Sequence, residues 1–86
     1  MKMPRVRLFF GLRDRKGRTE FTVEPGALCD VLRRIQELVP ERIVEDCSPA
    51  PGYLIFVDRV DVRLLPHDCL VGEESTVDIV PVNHPG

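Results

Sequence analysis

The stretch Pro25-Gly26-Ala27-Leu28-Cys29-Asp30-Val31-Leu32-Arg33-Arg34-Ile35-Gln36-Glu37-Leu38-Val39-Pro40 decides the fold. Its apolar residues Leu28, Val31, Leu32, Ile35, Leu38 and Val39 recur at helical spacing and form one continuous stripe. Asp30, Arg33, Arg34, Gln36 and Glu37 lie off that stripe. The spacing predicts a helix over residues 28–39, ended by Pro40. No Ser, Thr, Asp or Asn stands at the expected N-cap, so the start of the helix is poorly specified.

The flanking segments alternate instead. In Arg5-Val6-Arg7-Leu8-Phe9-Phe10, residues Val6, Leu8 and Phe10 share one face, and Arg5, Arg7 and Phe9 share the other. This is the pattern of a half-buried strand. Asp14-Arg15-Lys16-Gly17 is turn chemistry. Thr19-Glu20-Phe21-Thr22-Val23 alternates again, with Phe21 and Val23 inward, so the first two strands read as a hairpin. Beyond the helix, residues 40–52 read as a loop with a short turn around Arg42–Val44. Tyr53-Leu54-Ile55-Phe56-Val57 is an apolar run, expected of a central strand buried on both faces. Asp58-Arg59 turns the chain into a short strand over Val60–Leu64, and Pro66-His67-Asp68 turns it again. The last strand spans Thr76 to Val82, with Val77 and Ile79 inward.

The order is therefore ββαβ(β)β. The first and last strands have no partner close in sequence, and the helical crossover lets them pair in parallel at the sheet centre. This is the β-grasp arrangement: an α+β fold with a mixed four- to five-stranded sheet packed on one main helix. The expected burial set is Val31, Leu32, Ile35, Leu38, Phe21, Val23, Phe56 and Ile79. The domain is expected over residues 1–82, with residues 83–86 as a flexible tail.

Composition bounds the function. A chain of 86 residues makes one domain. With 43% hydrophobic and 30% charged residues it is an ordinary globule rather than a disordered tail. A net charge of −2 argues against nucleic acid as the main partner. There is no apolar run of membrane-spanning length and no signal-peptide stretch after Met1, so the expected compartment is the cytoplasm. Charge is lopsided. Residues 1–18 hold Lys2, Arg5, Arg7, Arg13, Arg15, Lys16 and Arg18 against Asp14, and the remainder is acidic. That asymmetry reads either as a solvated hairpin or as a basic edge docking an acidic partner. Cys29, Cys47 and Cys69 are odd in number and widely spaced, which suggests three reduced structural thiols. His67, Asp68 and Cys69 are adjacent and cannot converge well on one ion, so no metal site is expected. No Ser/His/Asp set, phosphate loop or carboxylate pair stands out. The chain is therefore expected to carry no complete active site and no bound cofactor.

Several segments together resemble the small subunit of molybdopterin synthase and the related thiamine-type sulfur carriers of the ubiquitin-like β-grasp group. Val6-Arg7-Leu8-Phe9-Phe10-Gly11-Leu12-Arg13 resembles that family's opening strand, and Pro25 to Leu32 its entry into the helix. Val57-Asp58-Arg59-Val60-Asp61-Val62-Arg63 is similar to its third-strand corner. Gly72-Glu73-Glu74-Ser75-Thr76-Val77-Asp78-Ile79-Val80-Pro81-Val82 resembles its acidic turn and last strand.

The resemblance implies a sulfur carrier, a non-catalytic subunit of a sulfurtransferase-type complex. The Gly86 carboxylate would be adenylated with ATP by a ubiquitin-activating-like adenylyltransferase and converted to a thiocarboxylate. The acceptor would be the large subunit of molybdopterin synthase, in molybdenum cofactor biosynthesis. Phe9 and Val80, on the face opposite the helix, would dock those partners, and Pro81, Val82, His84 and Pro85 would meet them along the tail. Pro85 stands where the family has glycine. It fixes φ and offers no N–H, but it also biases His84 toward the extended conformation that threading requires. Two other readings arise from the same residues: a ubiquitin-like protein modifier joined to lysines through Gly86, or a non-reactive β-grasp interaction module.

Overall fold

In the computed structural model, which describes residues 2–82, the chain begins with β1 (Arg5–Leu8) and β2 (Glu20–Thr22), followed by a short strand β3 (Gly26–Ala27) and the helix α1 (Leu28–Leu38). After the helix come β4 (Val44–Glu45), β5 (Ser48–Pro49), β6 (Tyr53–Val57) and β7 (Val60–Asp61). A 3-10 turn (Val62–Leu64), β8 (Leu70–Val71) and β9 (Thr76–Pro81) complete the order. The main sheet runs β2-β1-β9-β6-β7. β1 and β9 pair in parallel from Arg5↔Thr76 to Leu8↔Ile79, and the other three pairings are antiparallel. The terminal strands thus meet at the centre of a mixed five-stranded sheet, as the order of elements predicts. The fold is a ubiquitin-like β-grasp.

The core lies between that sheet and α1. Val6, Leu8, Phe21, Ile55, Val57, Val77 and Ile79 face Leu28, Val31, Leu32 and Ile35, and all are buried. The helix begins without a side-chain cap at Ala27. Two of its first free donors are satisfied from outside instead: Leu28 N–H donates to the Cys69 carbonyl at 2.8 Å and Cys29 N–H to the His67 carbonyl at 3.0 Å. The ladder of β3 with β8 holds that loop in place. At the other end, Arg15 N–H donates to the Leu38 carbonyl at 2.8 Å and Arg15 Nε to the Glu37 carbonyl at 3.1 Å. A cation from the β1–β2 connection therefore sits on the negative end of the helix dipole.

Four of the seven basic residues in the segment 1–18 form ion pairs within the molecule. Lys2 pairs with Glu74, Arg5 with Glu20, Arg7 with Asp78 and Arg18 with Asp14. Asp14 is buried, and its carboxylate accepts from Lys16 N–H, Arg18 N–H and Arg18 Nε at 3.0, 2.7 and 2.8 Å. Burial works against its charge, but the hydrogen bonds from Arg18 and Lys16 prevail and hold the carboxyl below its ordinary range.

The structure corrects several expectations. Phe10 does not share the inward face of Val6 and Leu8: it is 81% exposed, and Leu12 is buried instead. The helix ends at Leu38, and Val39 is its C-cap. Residues 60–64 are not one strand, because Asp61 Oδ1 accepts from Arg63 N–H at 2.9 Å and winds the chain into the 3-10 turn. The loop after the helix contains the small β4–β5 hairpin. The last strand ends at Pro81 rather than Val82. Leu38 and Phe56 are half-buried, and β6 is buried only on its inner face, at Ile55 and Val57. Cys29 and Cys47 are not separate reduced thiols but are joined in a disulfide across a Cα separation of 5.0 Å, within the span such bonds require. Cys69 is free.

Candidate functional site at the end of the last strand

β9 is the central strand of the five, paired on both flanks by β1 and by β6. Its even-numbered residues face away from the helix. Val80 stands opposite Leu54, and Asp78 stands opposite Phe56. Phe9 continues β1 on the same face, with its N–H donating to the Ile79 carbonyl at 3.1 Å. Phe9 and Val80 are half-buried rather than fully exposed, as are Leu54 and Phe56. The expected apolar face therefore exists and is broader than Phe9 and Val80 alone. Leu54 and Phe56 were hidden in the sequence because an unbroken apolar run does not reveal which residues face out.

Arg7 fixes the polar border of this face. Its Nε and Nη2 meet the two carboxylate oxygens of Asp78 at 2.7 and 2.9 Å, a bidentate pair across the parallel ladder. The bonds to Asp78 raise the Arg7 pKa further. The guanidinium carbon also lies 5.6 Å from the centre of the Phe9 ring. Removing Arg7 would therefore loosen both a charge pair and the seat of Phe9.

The strand delivers the chain to an open groove lined by Phe10, Pro51, Gly52, Tyr53, Pro81 and Val82. Pro81 stands opposite Tyr53 in the ladder, and Val82 N–H donates to the Gly52 carbonyl at 2.7 Å. Pro81 and Val82, two of the residues expected to meet a partner, are thus half-buried groove walls. His84, Pro85 and Gly86 lie outside the described residues.

The groove's exposed wall is Phe10, a residue that alternation alone places in the core. The chain turns at Phe10 and Gly11 with φ of 52° and 87°, closed by Leu12 N–H donating to the Phe9 carbonyl at 3.2 Å. Positive φ at both central positions is the signature of a type I′ turn. Gly11 was the available signal, because a glycine just before Leu12 permits such a turn and flips Phe10 out. The ring centres of Phe9 and Phe10 are 6.3 Å apart, so the aromatic surface runs from the sheet face to the groove.

The described residues contain no cluster of three or more His, Cys, Asp or Glu side chains able to hold a metal ion. Among them, no helix is long and apolar enough to cross a membrane. What the geometry offers is an apolar surface beside a pinned strand end, a shape suited to presenting the residues beyond it.

No protein-family model matches the sequence, and no curated protein matches it. Solved structures do. The CysO chain of the Amycolatopsis orientalis BexX/CysO complex superposes with a TM-score of 0.75 at 17% identity, over 96% of this chain and 99% of that one. The small archaeal modifier protein 1 of Methanosarcina acetivorans gives 0.75 at 22% identity, over 100% and 98% of the two chains. Urm1 of Sulfolobus solfataricus gives 0.72 at 25% identity, over 92% and 100%. Coverage is near complete in both directions, and the chain shares its whole ubiquitin-like β-grasp architecture with these proteins.

Proposed function

We propose that this protein is a ubiquitin-like sulfur carrier that works through the carboxyl group of Gly86. The observation that carries the reading is the placement of Val82. The central strand β9 ends at Pro81, Val82 after it is pinned to Gly52 beside the exposed Phe10, and the sequence continues for Asn83-His84-Pro85-Gly86. A partner that grips Phe9, Phe10, Leu54 and Val80 would receive the residues after Val82 at a fixed point. Holding the reacting carboxylate relative to a docked enzyme is worth more than any side-chain chemistry this domain holds.

The chemistry rests on that presentation. A Gly86 carboxylate oxygen attacks the α-phosphorus of ATP on an activating adenylyltransferase, and pyrophosphate leaves. A persulfide of the sulfur donor then attacks the acyl carbon and AMP leaves, giving an acyl disulfide. A thiol attacks the donor sulfur of that disulfide, which breaks the S–S bond, releases the thiocarboxylate and leaves the donor and the thiol joined as a disulfide. Glycine at the reacting position leaves the acyl carbon unobstructed. Pro85 and His84 would line the partner channel, with Pro85 holding the approach extended. The acceptor we propose is the large subunit of molybdopterin synthase, in molybdenum cofactor synthesis. The whole-chain likeness to CysO, crystallised with BexX, supports a carrier that docks a partner.

The likeness to small archaeal modifier protein 1 favours a second reading, in which the same activated carboxyl is passed to a lysine of a target protein. Pro85 favours a third, a non-reactive interaction module. Intact mass after incubation with ATP, an activating enzyme and a sulfur donor separates them. A gain equal to the exchange of one oxygen for sulfur supports the carrier, and conjugates to other proteins support the modifier. No change of any kind leaves the interaction module.

A further inference from the structure

The disulfide between Cys29 and Cys47 has no role in the carrier chemistry. Cys29 lies in the first turn of α1, and Cys47 lies at the tip of the β4–β5 hairpin. Three features distinguish this bond from a brace buried in a core. Both cysteines are half-exposed and line an open surface groove with Arg33, Gln36, Val44 and Asp46. Arg33, one helical turn beyond Cys29, places Nη2 at 3.6 Å from Cys29 Sγ while Nη1 holds the Asp30 carboxylate at 3.0 Å. The hairpin turn has positive φ at both central residues, 51° at Asp46 and 61° at Cys47, a conformation that Cys adopts far less readily than Gly or Asn.

These features make the two sulfurs chemically unequal. In thiol–disulfide exchange a thiolate attacks one sulfur and expels the other as a thiolate, and the better leaving group is the more stabilised anion. A Cys29 thiolate would form beside the Arg33 guanidinium, which lowers the cost of its charge. Asp30, next in sequence to Cys29, has its charge paired with that same Arg33 at 3.0 Å, whereas Asp46, next to Cys47, makes no ion pair among the described residues, so a Cys47 thiolate would face an uncompensated like charge. Cys47 also sits on the hairpin tip, open to a small nucleophile. Both considerations direct attack to Cys47 and departure to Cys29.

We propose that Cys29–Cys47 is a thiol–disulfide exchange site for a small-molecule thiol, opened by attack on Cys47 Sγ with Cys29 leaving as a thiolate stabilised by Arg33. The incoming thiol gives up its proton and bonds to Cys47 Sγ, and the electron pair of the broken bond stays on Cys29. A second thiol attacks the adduct sulfur, releases the oxidised thiol dimer and returns Cys47 as a thiolate. The protein gains two electrons and two protons, and the two thiols supply them.

The fold tolerates the opening. The hairpin base is held independently by Gln36, whose Oε1 accepts from Ile43 N–H and Val44 N–H at 2.7 and 2.9 Å. Ile43 is fully buried, and its carbonyl accepts from Ala50 N–H at 2.9 Å. Opening the bond therefore releases the tip at residues 45–48 while both ends of the hairpin stay fixed. Pro51 and Gly52, which line the groove at the end of β9, come shortly after in the chain. The exchange does not rest on the carrier reading.

The test uses the oxidised full chain in a Cys69→Ser background, which leaves only the pair. The protein is incubated with reduced glutathione and quenched with N-ethylmaleimide, which caps the released thiol, and the adducts are mapped by peptide mass. The expected result is glutathione on Cys47 and maleimide on Cys29, in several-fold excess over the reverse, with the far-ultraviolet dichroism of the folded protein retained. Arg33→Leu is expected to slow opening several-fold and to even out the two adducts. Opening only when the protein is globally unfolded overturns the proposal, as does glutathione mainly on Cys29. Failure of oxidised glutathione to restore the bond in the reduced, folded protein overturns it as well. None of these outcomes depends on whether Gly86 is activated.

Discussion

At Phe10 two demands meet in one residue. A left-handed backbone costs a residue with a Cβ about 1–2 kcal/mol, and the ring gains little from burial because it is 81% exposed. Such a residue is poorly explained by stability and well explained by a partner that covers it. Phe10→Asn keeps the turn, since Asn tolerates positive φ, and removes the ring. It is expected to leave stability unchanged or raise it by up to ~1 kcal/mol while weakening capture of the activating enzyme, as read by denaturation and by binding titration. A large loss of stability would assign the ring a structural role instead. Asp14 shows the opposite balance. Its carboxyl is held below its ordinary value of 3.8, so its stabilising contribution is complete above that value and is lost as pH falls through the lower folded-state one. Asp14→Asn is expected to lower the thermal midpoint at neutral pH and to flatten the acid side of the stability curve, measured by thermal melts from neutral pH downward. An unchanged acid limb would show that Asp14 does not govern it. Neither residue could be placed from pattern alone. Alternation puts Phe10 inward until Gly11 turns the chain, and the turn chemistry of Asp14-Arg15-Lys16-Gly17 foretells the bond from Lys16 N–H but not that the carboxylate is buried beneath Arg18.

The helix was legible because its signal repeats. Six apolar positions at one period leave a single face to bury, and the structure buries Leu28, Val31, Leu32 and Ile35 on it. Ile35→Ala is expected to destabilise by about 2–5 kcal/mol, the usual cost of a large-to-small change in a packed core, with chemical denaturation as the measure. The residues off the stripe were less legible. Gln36 carries the mark of a solvent-facing position, yet its carboxamide makes four bonds. Its oxygen accepts from Ile43 and Val44, and its nitrogen donates to the Val39 and Glu41 carbonyls at 3.2 and 2.7 Å. It shapes the exit from the helix and the base of the β4–β5 hairpin. Gln36→Ala is expected to cost about 1–3 kcal/mol by leaving those backbone groups unpaired, and to speed amide exchange at Ile43 and Val44 without affecting Val77. The hairpin itself stayed hidden because two residue pairs are too short for alternation to show, and Asp46-Cys47 is not the Asn-Gly pair that marks such a turn. The same shortness concealed the disulfide, since only the hairpin brings Cys47 to the helix.

At the scale of the whole molecule the deciding contact joins the two ends of the described chain. β1 and β9 lie side by side from Arg5↔Thr76 to Leu8↔Ile79, so the centre of the sheet exists only when the last strand is in place. This pairing was legible because two strong terminal strands lacked local partners and one helix separated the halves. The groove was not, because it is assembled from Phe10, Pro51–Tyr53 and Pro81–Val82, segments that no local pattern connects. The core is complete before the residues that the carrier reading assigns to the chemistry. The strand is tied into the sheet through Pro81 and pinned at Val82 by Gly52, and among the described residues the core reaches no further along the chain than Ile79. Adding a single alanine after Gly86 is therefore expected to leave the thermal midpoint within about 2–4 °C, because changes remote from packing stay small. The same addition moves the carboxylate one residue along and puts a Cβ beside the acyl carbon. It is expected to abolish the sulfur-for-oxygen mass gain on incubation with ATP, activating enzyme and sulfur donor, while binding to the activating enzyme through Phe10 persists. Full activity in the extended chain would separate the chemistry from Gly86. Loss of binding together with activity would mean that the tail, rather than the Phe9–Phe10 surface, supplies most of the docking energy.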